Sequence, residues 1–203
     1  MKADKPNKII VGIYYVLRTL MIAAALAFLW QREWSSAVYT ALIFLLMISP
    51  GILKRWWDIY LPFELEITSV IFIFLTLFLG SLENFYEEFP WWDGVLHFGS
   101  GFLLGFFGFV FIYILNQGSG KLNLSSGFSA IFSVMFSVTI GAIWEIAEFI
   151  FDKFTGARTM ETGLPDTMGD MIVNLIGAVI VATAAYIWMK REKRIPLTPK
   201  KIN

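Results

Sequence analysis

Three short segments carry residues whose types and spacing could do chemistry. In Trp91-Trp92-Asp93-Gly94-Val95-Leu96-His97, an acid and the chain's single histidine stand four apart. In Trp144-Glu145-Ile146-Ala147-Glu148-Phe149-Ile150-Phe151-Asp152, three acids follow one another at steps of three and four. In Pro165-Asp166-Thr167-Met168-Gly169-Asp170-Met171-Ile172-Val173-Asn174, three polar residues recur at steps of four. Residues three or four apart share a helix face, so each segment predicts a polar stripe. His97 then lies about 6 Å below Asp93 along its axis, and Asp166 to Asn174 spans about 12 Å. Like charges at this spacing repel, and low dielectric sharpens the repulsion. Two carboxylates entering a bilayer together require a cation, a shared proton or a buried arginine.

If the three stripes meet, they form an oxygen-rich ligand set with one imidazole and no thiolate. The expected metal ligands are Asp93, His97, Glu145, Glu148 and Asp170. That set suits a divalent Mg, Ca or Mn ion, with Zn or Fe also accommodated. His97 and Glu148 are the candidate general bases. Asp166, Asn174, Arg18 and Arg158 are the candidate substrate-binding residues. Arg158 sits in the turn Thr155-Gly156-Ala157-Arg158-Thr159. The helix starts at Asp93 and Asp166 would also offer free N–H groups to an anion.

Each residue has a plainer explanation. Asp93 and Asp166 would serve as N-caps, His97 as a satisfied interior histidine, and Asp152 as an interfacial acid. Asn174 would be polar glue between helices, and Arg158 a solvated loop charge. Arg18 falls near the middle of an apolar run and must find an acid there, with Glu145, Asp170 and Glu66 as choices. It would be either a structural pair or a counter-ion. Glu64 and Glu66 are covered by a helix N-terminal dipole role.

The elements that carry these residues are membrane spans. Of 203 residues, 57% are hydrophobic and 16% charged, against roughly 45–50% and 25% in soluble domains. Six apolar segments stand out, at about 9–30, 36–53, 63–82, 93–115, 128–151 and 168–189. Each covers roughly 27 to 36 Å as a helix, enough for a hydrocarbon core about 30 Å thick. Their apolar character is continuous, which disfavours strands. The second segment ends at Ser49-Pro50-Gly51, a helix-breaking cluster. The first is too long for a signal-peptide core and is interrupted by Arg18. The expected fold is all-α: one six-helix bundle over residues 1–203, ending in a basic tail from Lys190.

Lys and Arg fix the expected orientation. Twelve fall on one side: Lys2, Lys5, Lys8, Lys54, Arg55, Lys121, Lys190, Arg191, Lys193, Arg194, Lys200 and Lys201. Arg32, Lys153 and Arg158 make three on the other. Both termini are therefore expected in the cytoplasm of a bacterial cell with the chain in its inner membrane, and the three polar stripes at the outer leaflet. Seven of the eight tryptophans, Trp30, Trp34, Trp56, Trp57, Trp91, Trp92 and Trp188, sit at segment ends, as an interfacial belt requires. The tail, with Pro196 and Pro199, is a topology anchor or a binder of anionic lipid. Gly101, Gly105 and Gly108 form a small-residue face for close helix packing. Cysteine is absent, so disulfides and thiol chemistry are excluded. No phosphate loop, nucleophile elbow or extended basic face supports a soluble oxidoreductase or a nucleic-acid binder.

The pattern Asp93-x3-His97-Phe98-x2-Gly101, Glu145-x2-Glu148 and Asp166-Thr167-x2-Asp170-Met171 with Gly177-Ala178 resembles the YjdF-like bacterial inner-membrane proteins. Asp170-x3-Asn174-x2-Gly177 is also distantly similar to the VanZ-like membrane proteins. The resemblance covers roughly residues 91–180. The YjdF-like pattern has histidines before the fourth span, where this chain reads Glu83-Asn84-Phe85-Tyr86-Glu87-Glu88. The resemblance implies an integral membrane protein, and the VanZ-like side implies cell-envelope chemistry. Three functions remain open: metal-assisted action on, or binding of, an envelope lipid or lipid-linked substrate; cation- or proton-coupled transport; and a non-catalytic scaffold. Whether the chain is an enzyme is left open, as is its oligomeric state.

Overall fold

A computed structural model describes residues 8–56, 63–118, 124–155 and 163–192. They form helices and no strand among the described residues. α1 is Lys8–Trp30, α2 Trp34–Trp56 and α3 Phe63–Ile73, which continues into a π-helical run Phe74–Leu82. A short α4, Phe85–Glu88, precedes α5 (Trp92–Gly118), α6 (Ser126–Thr155) and α7 (Leu164–Glu192). Six of the helices are long and apolar enough to cross a membrane, α3 and its π-helical run making one span. The helices group into two compact units, one ending at Pro90 and one beginning at Trp91.

In the N-terminal unit, α1 ends in a Schellman motif. Arg32 is left-handed (φ 62°), the Glu33 N–H donates to the Phe28 carbonyl at 2.9 Å, and the Arg32 N–H to the Leu29 carbonyl at 3.2 Å. This closes the otherwise orphaned carbonyls and turns the chain into α2. Met21, Ile43, Met47, Val70, Phe74 and Phe78 form the buried core. Arg18 and Glu66 meet on Tyr14 within it. The guanidinium lies 3.9 Å from the Tyr14 ring centre and donates to the Met47 carbonyl at 3.3 Å, while Tyr14 Oη–H donates to Glu66 Oε1 at 2.7 Å. Glu66 is therefore a buried acceptor, not a dipole-capping surface acid.

α2 also departs from expectation. It does not stop at Ser49-Pro50-Gly51 but runs through to Trp56. Pro50 has no N–H for the Leu46 carbonyl four residues back. Ser49 Oγ donates to that same carbonyl at 2.8 Å, so the hydroxyl replaces the missing donor and the helix continues. The third span changes pitch at Phe74, and the Glu83 N–H reaches back five residues to the Phe78 carbonyl. Gly80 faces the ring of Tyr86, which a Cβ would strike at 2.5 Å.

In the C-terminal unit, α5, α6 and α7 run antiparallel in sequence. The start of α5, the end of α6 and the start of α7 therefore share one end. Small residues set the spacing. Gly101 of α5 backs onto the Asn174 main-chain carbonyl of α7, and Gly177 onto the Phe98 carbonyl, closer than any Cβ would allow. Gly105 lies against Ala178 and Val181, and Gly108 against Phe136 of α6. The glycine face is thus spent on packing inside this unit.

Candidate functional site

The shared end carries the predicted residues. α5 begins at Trp92, with the Val95 N–H donating to the Trp91 carbonyl. Asp93 accordingly sits inside the first turn and not at the cap. α7 likewise begins at Leu164, and the Asp166 and Thr167 N–H groups both donate to the Gly163 carbonyl. Gly163 holds φ +76°, so it supplies the turn, and Asp166 lies in the first turn beyond it. Both aspartates still face a favourable N-terminal dipole.

His97 is the hub. Its Nε2 stands 3.5 Å from Asp93 Oδ1 and its Nδ1 3.6 Å from Glu145 Oε1. Ligand atoms of Asp93, His97 and Asp170 lie within 4.8 Å of one another, and so do those of His97, Glu145 and Glu148. The imidazole thus stands between two carboxylate pairs. His97, Glu145 and Asp170 are buried at 8%, 6% and 7% exposure. Asp93 and Glu148 are half-buried. Glu145 Oε1 and Thr167 Oγ1 are both buried without a hydrogen bond of good geometry, and the two side chains lie close enough to interact with each other. No Lys or Arg occurs in 91–118, 126–152 or 163–189. These stretches of the three helices therefore bring four carboxylates together with no cation among them; the basic residues of α6 and α7 are Lys153, in the last turn of α6, and Lys190 and Arg191, at the far end of α7.

The cluster rests on a polar floor. Asn174, 2% exposed, donates from Nδ2 to Ser100 Oγ at 3.0 Å, and Ser100 Oγ–H donates to the His97 carbonyl at 2.8 Å. Ser137 Oγ–H is shared between the Gly101 carbonyl at 3.1 Å and Asn174 Oδ1 at 3.4 Å. Ser133 donates to the Gly105 carbonyl. Beneath His97 and Glu145, the pocket lined by Gly141, Met171 and Asn174 has no room for a water molecule. Ser133 and Ser137 both donate to main-chain carbonyls of α5.

The structure therefore brings Asp93, His97, Glu145, Glu148 and Asp170 together. It places Asn174 directly below them as an interhelical tie, and Asp166 within electrostatic reach of Asp93 and Glu145. Arg18 and its partners belong to the N-terminal unit. Arg158 lies outside the described residues, as do the chain ends 1–7 and 193–203. Sequence reasoning passed over Ser100, and it named Thr167 only as part of a motif, without a role. Ser100 is three residues after His97 and so shares its face, a signal that was available; Thr167 gives none, because its role depends on where α6 falls.

An "Uncharacterized protein" of Thermotoga maritima is 35% identical over 114 residues, which cover 56% of this chain and 57% of that protein. The chain thus spans little more than half the length of this relative. No solved structure matches the chain. Residues 13–191 match the family described as "Predicted membrane protein (DUF2238)", and with almost its whole length accounted for, the chain belongs to that family of integral membrane proteins.

Proposed function

We propose that this membrane protein binds a divalent cation in the cluster of Asp93, His97, Glu145, Glu148 and Asp170, and acts on or binds an envelope lipid or lipid-linked substrate there. One observation carries the reading. Glu145 Oε1 is buried, without a hydrogen bond, beside His97 and within a group of four carboxylates. Burying a charge is costly unless it is paired, and a divalent ion relieves the repulsion of several acids at once. When bound, such an ion polarises a phosphoryl or carbonyl oxygen. Glu148, half-buried at the edge of the cluster, is then positioned to take a proton, with His97 the other base in reach. Arg158, which lies between α6 and α7 in the sequence, would receive the anionic part of the substrate. The reading takes the YjdF-like resemblance and an inner-membrane, termini-inside topology as its premises, which would put the cluster at the outer leaflet.

Transport is the weaker alternative, because the buried serines below the cluster are engaged with carbonyls and the pocket there excludes water. The test is elemental analysis of the purified protein, with Glu145→Gln and Asp170→Asn alongside. About one equivalent of a divalent metal is expected in the wild type, and its loss in both variants. Absence of metal, with a melting temperature indifferent to Mg, Ca, Mn and Zn, would overturn the reading and favour a scaffold. Uptake of labelled divalent ions into proteoliposomes would move transport to first place.

A further inference from the structure

Away from the cluster, α6 and α7 part to leave a groove of about 320 Å3. Ala130 and Ala182 open it, because neither has side chain enough to close the space, and Ile131, Met135 and Val179 form its walls. Ile131 and Met135 remain more than 60% exposed, so the groove faces outward to the bilayer. Tyr186 ends it. Lys190, one turn on, places its Nζ 4.8 Å from the Tyr186 ring centre, and Arg191 follows, both exposed. α6 starts at Ser126 at this same end, where Ser125 caps it: Ser125 Oγ accepts from the Phe128 N–H at 3.1 Å and the Ser125 carbonyl from the Ser129 N–H at 3.0 Å. An apolar slot of acyl character thus ends at Tyr186, with the Lys190 cation over its ring and Arg191 next in sequence.

The geometry points to a binding site for one anionic glycerophospholipid, its acyl chain in the α6–α7 groove and its phosphate headgroup at Lys190 and Arg191. The charge complementarity selects the occupant: a second protein copy would need an apolar ridge, but not a basic mouth. Juxtamembrane cations attract anionic lipid, and the aromatic ring beneath Lys190 holds one of them at the headgroup level. This site is separate from the acidic cluster and stands whether or not that cluster holds a metal.

Native mass spectrometry of the full chain, titrated with phosphatidylglycerol or phosphatidylcholine, tests it. One phosphatidylglycerol per chain is expected, retained roughly tenfold more tightly than phosphatidylcholine. Lys190→Glu with Arg191→Glu should erase the preference. Thr183→Trp, which fills the groove from an exposed position, should remove the bound lipid, whereas Ile143→Trp on another exposed face of α6 should not. Val179→Phe repeats the filling test should Thr183→Trp melt early. Equal retention of both lipids by the wild type overturns the proposal, as does retention unaffected by both filling variants. A dimer that the filling variants dissociate, without bound lipid in the wild type, would show a second copy in the groove and overturn it too.

Discussion

Asn174 reaches His97 through a single hydroxyl. Its side-chain amide donates to Ser100 Oγ at 3.0 Å, and that hydroxyl donates to the His97 carbonyl at 2.8 Å. A residue on α7 thereby fixes the turn of α5 that carries the imidazole. Groups that orient a ligand from behind commonly affect metal affinity by 10–100-fold. Asn174→Ala should therefore weaken divalent-ion binding by roughly tenfold, measured by titration calorimetry, while lowering stability by only about 1 kcal/mol. Unchanged affinity would show that the tie serves packing alone.

Gly101 and Gly177 make the closest main-chain approach between α5 and α7, and neither leaves space for a Cβ. Backbone cannot yield as a side-chain tip does. Gly101→Ala should cost upwards of about 3 kcal/mol, read as a drop in detergent melting temperature or as failure to accumulate. Gly12 in α1 has nothing within 4 Å of its would-be Cβ. Gly12→Ala should accordingly stabilise by about 0.5 kcal/mol. Similar melting for both variants would refute the packing account.

The Ser49 hydroxyl serves the carbonyl that Pro50 leaves without a donor. Ser49→Ala should cost about 1 kcal/mol, since the lipid environment offers no replacement. In a Pro50→Ala background, where the N–H is restored, the same change should cost close to nothing. A double-mutant cycle reads this coupling directly, and additive effects would contradict it.

Acid should release the ion. Carboxylate and imidazole ligands bind metal in their deprotonated forms, so binding expels protons and affinity rises with pH. Titration at pH 5.5 should give weaker binding than at pH 7.5, and heats in buffers of different ionisation enthalpy should reveal the proton release. Affinity flat across that range would argue against carboxylate ligation.

Tyr14 gives Glu66 its donor at 2.7 Å in a buried setting. Tyr14→Phe should destabilise by roughly 1–3 kcal/mol, checked by thermal unfolding.

Much of this architecture was legible because it follows from simple periodicities. The continuous apolar runs mark the spans, and steps of three and four put Asp93 with His97 and Glu145 with Glu148 on single faces. What failed did so for identifiable reasons. Pro50 reads as a stop, but a neighbouring hydroxyl repairs the helix, and such a repair depends on a rotamer that the residue order does not reveal. Asp93 and Asp166 read as caps because acids favour that position, yet Trp91 and Gly163 supply the first acceptors. Arg18 had three acids to choose from, and its tie through Tyr14 to Glu66 is a tertiary fact. The change of pitch at Phe74 has only a weak marker, the Gly80-Ser81 pair six residues on, which reads equally well as the approach of a helix end.

That change of pitch has a consequence for the third span. A wide turn holds one residue more than the α-helix it interrupts, so it shifts the angular phase of everything beyond it. Within this run Phe74 and Phe78 point into the core, and Gly80 receives Tyr86. Chain length can therefore change by one residue between Phe74 and Leu82 through a return to regular winding, whereas the same deletion in α5 would rotate His97 and Gly101 out of alignment with each other's neighbours. Tolerance to insertion and deletion along this sequence should thus be unevenly distributed, with the third span the most forgiving.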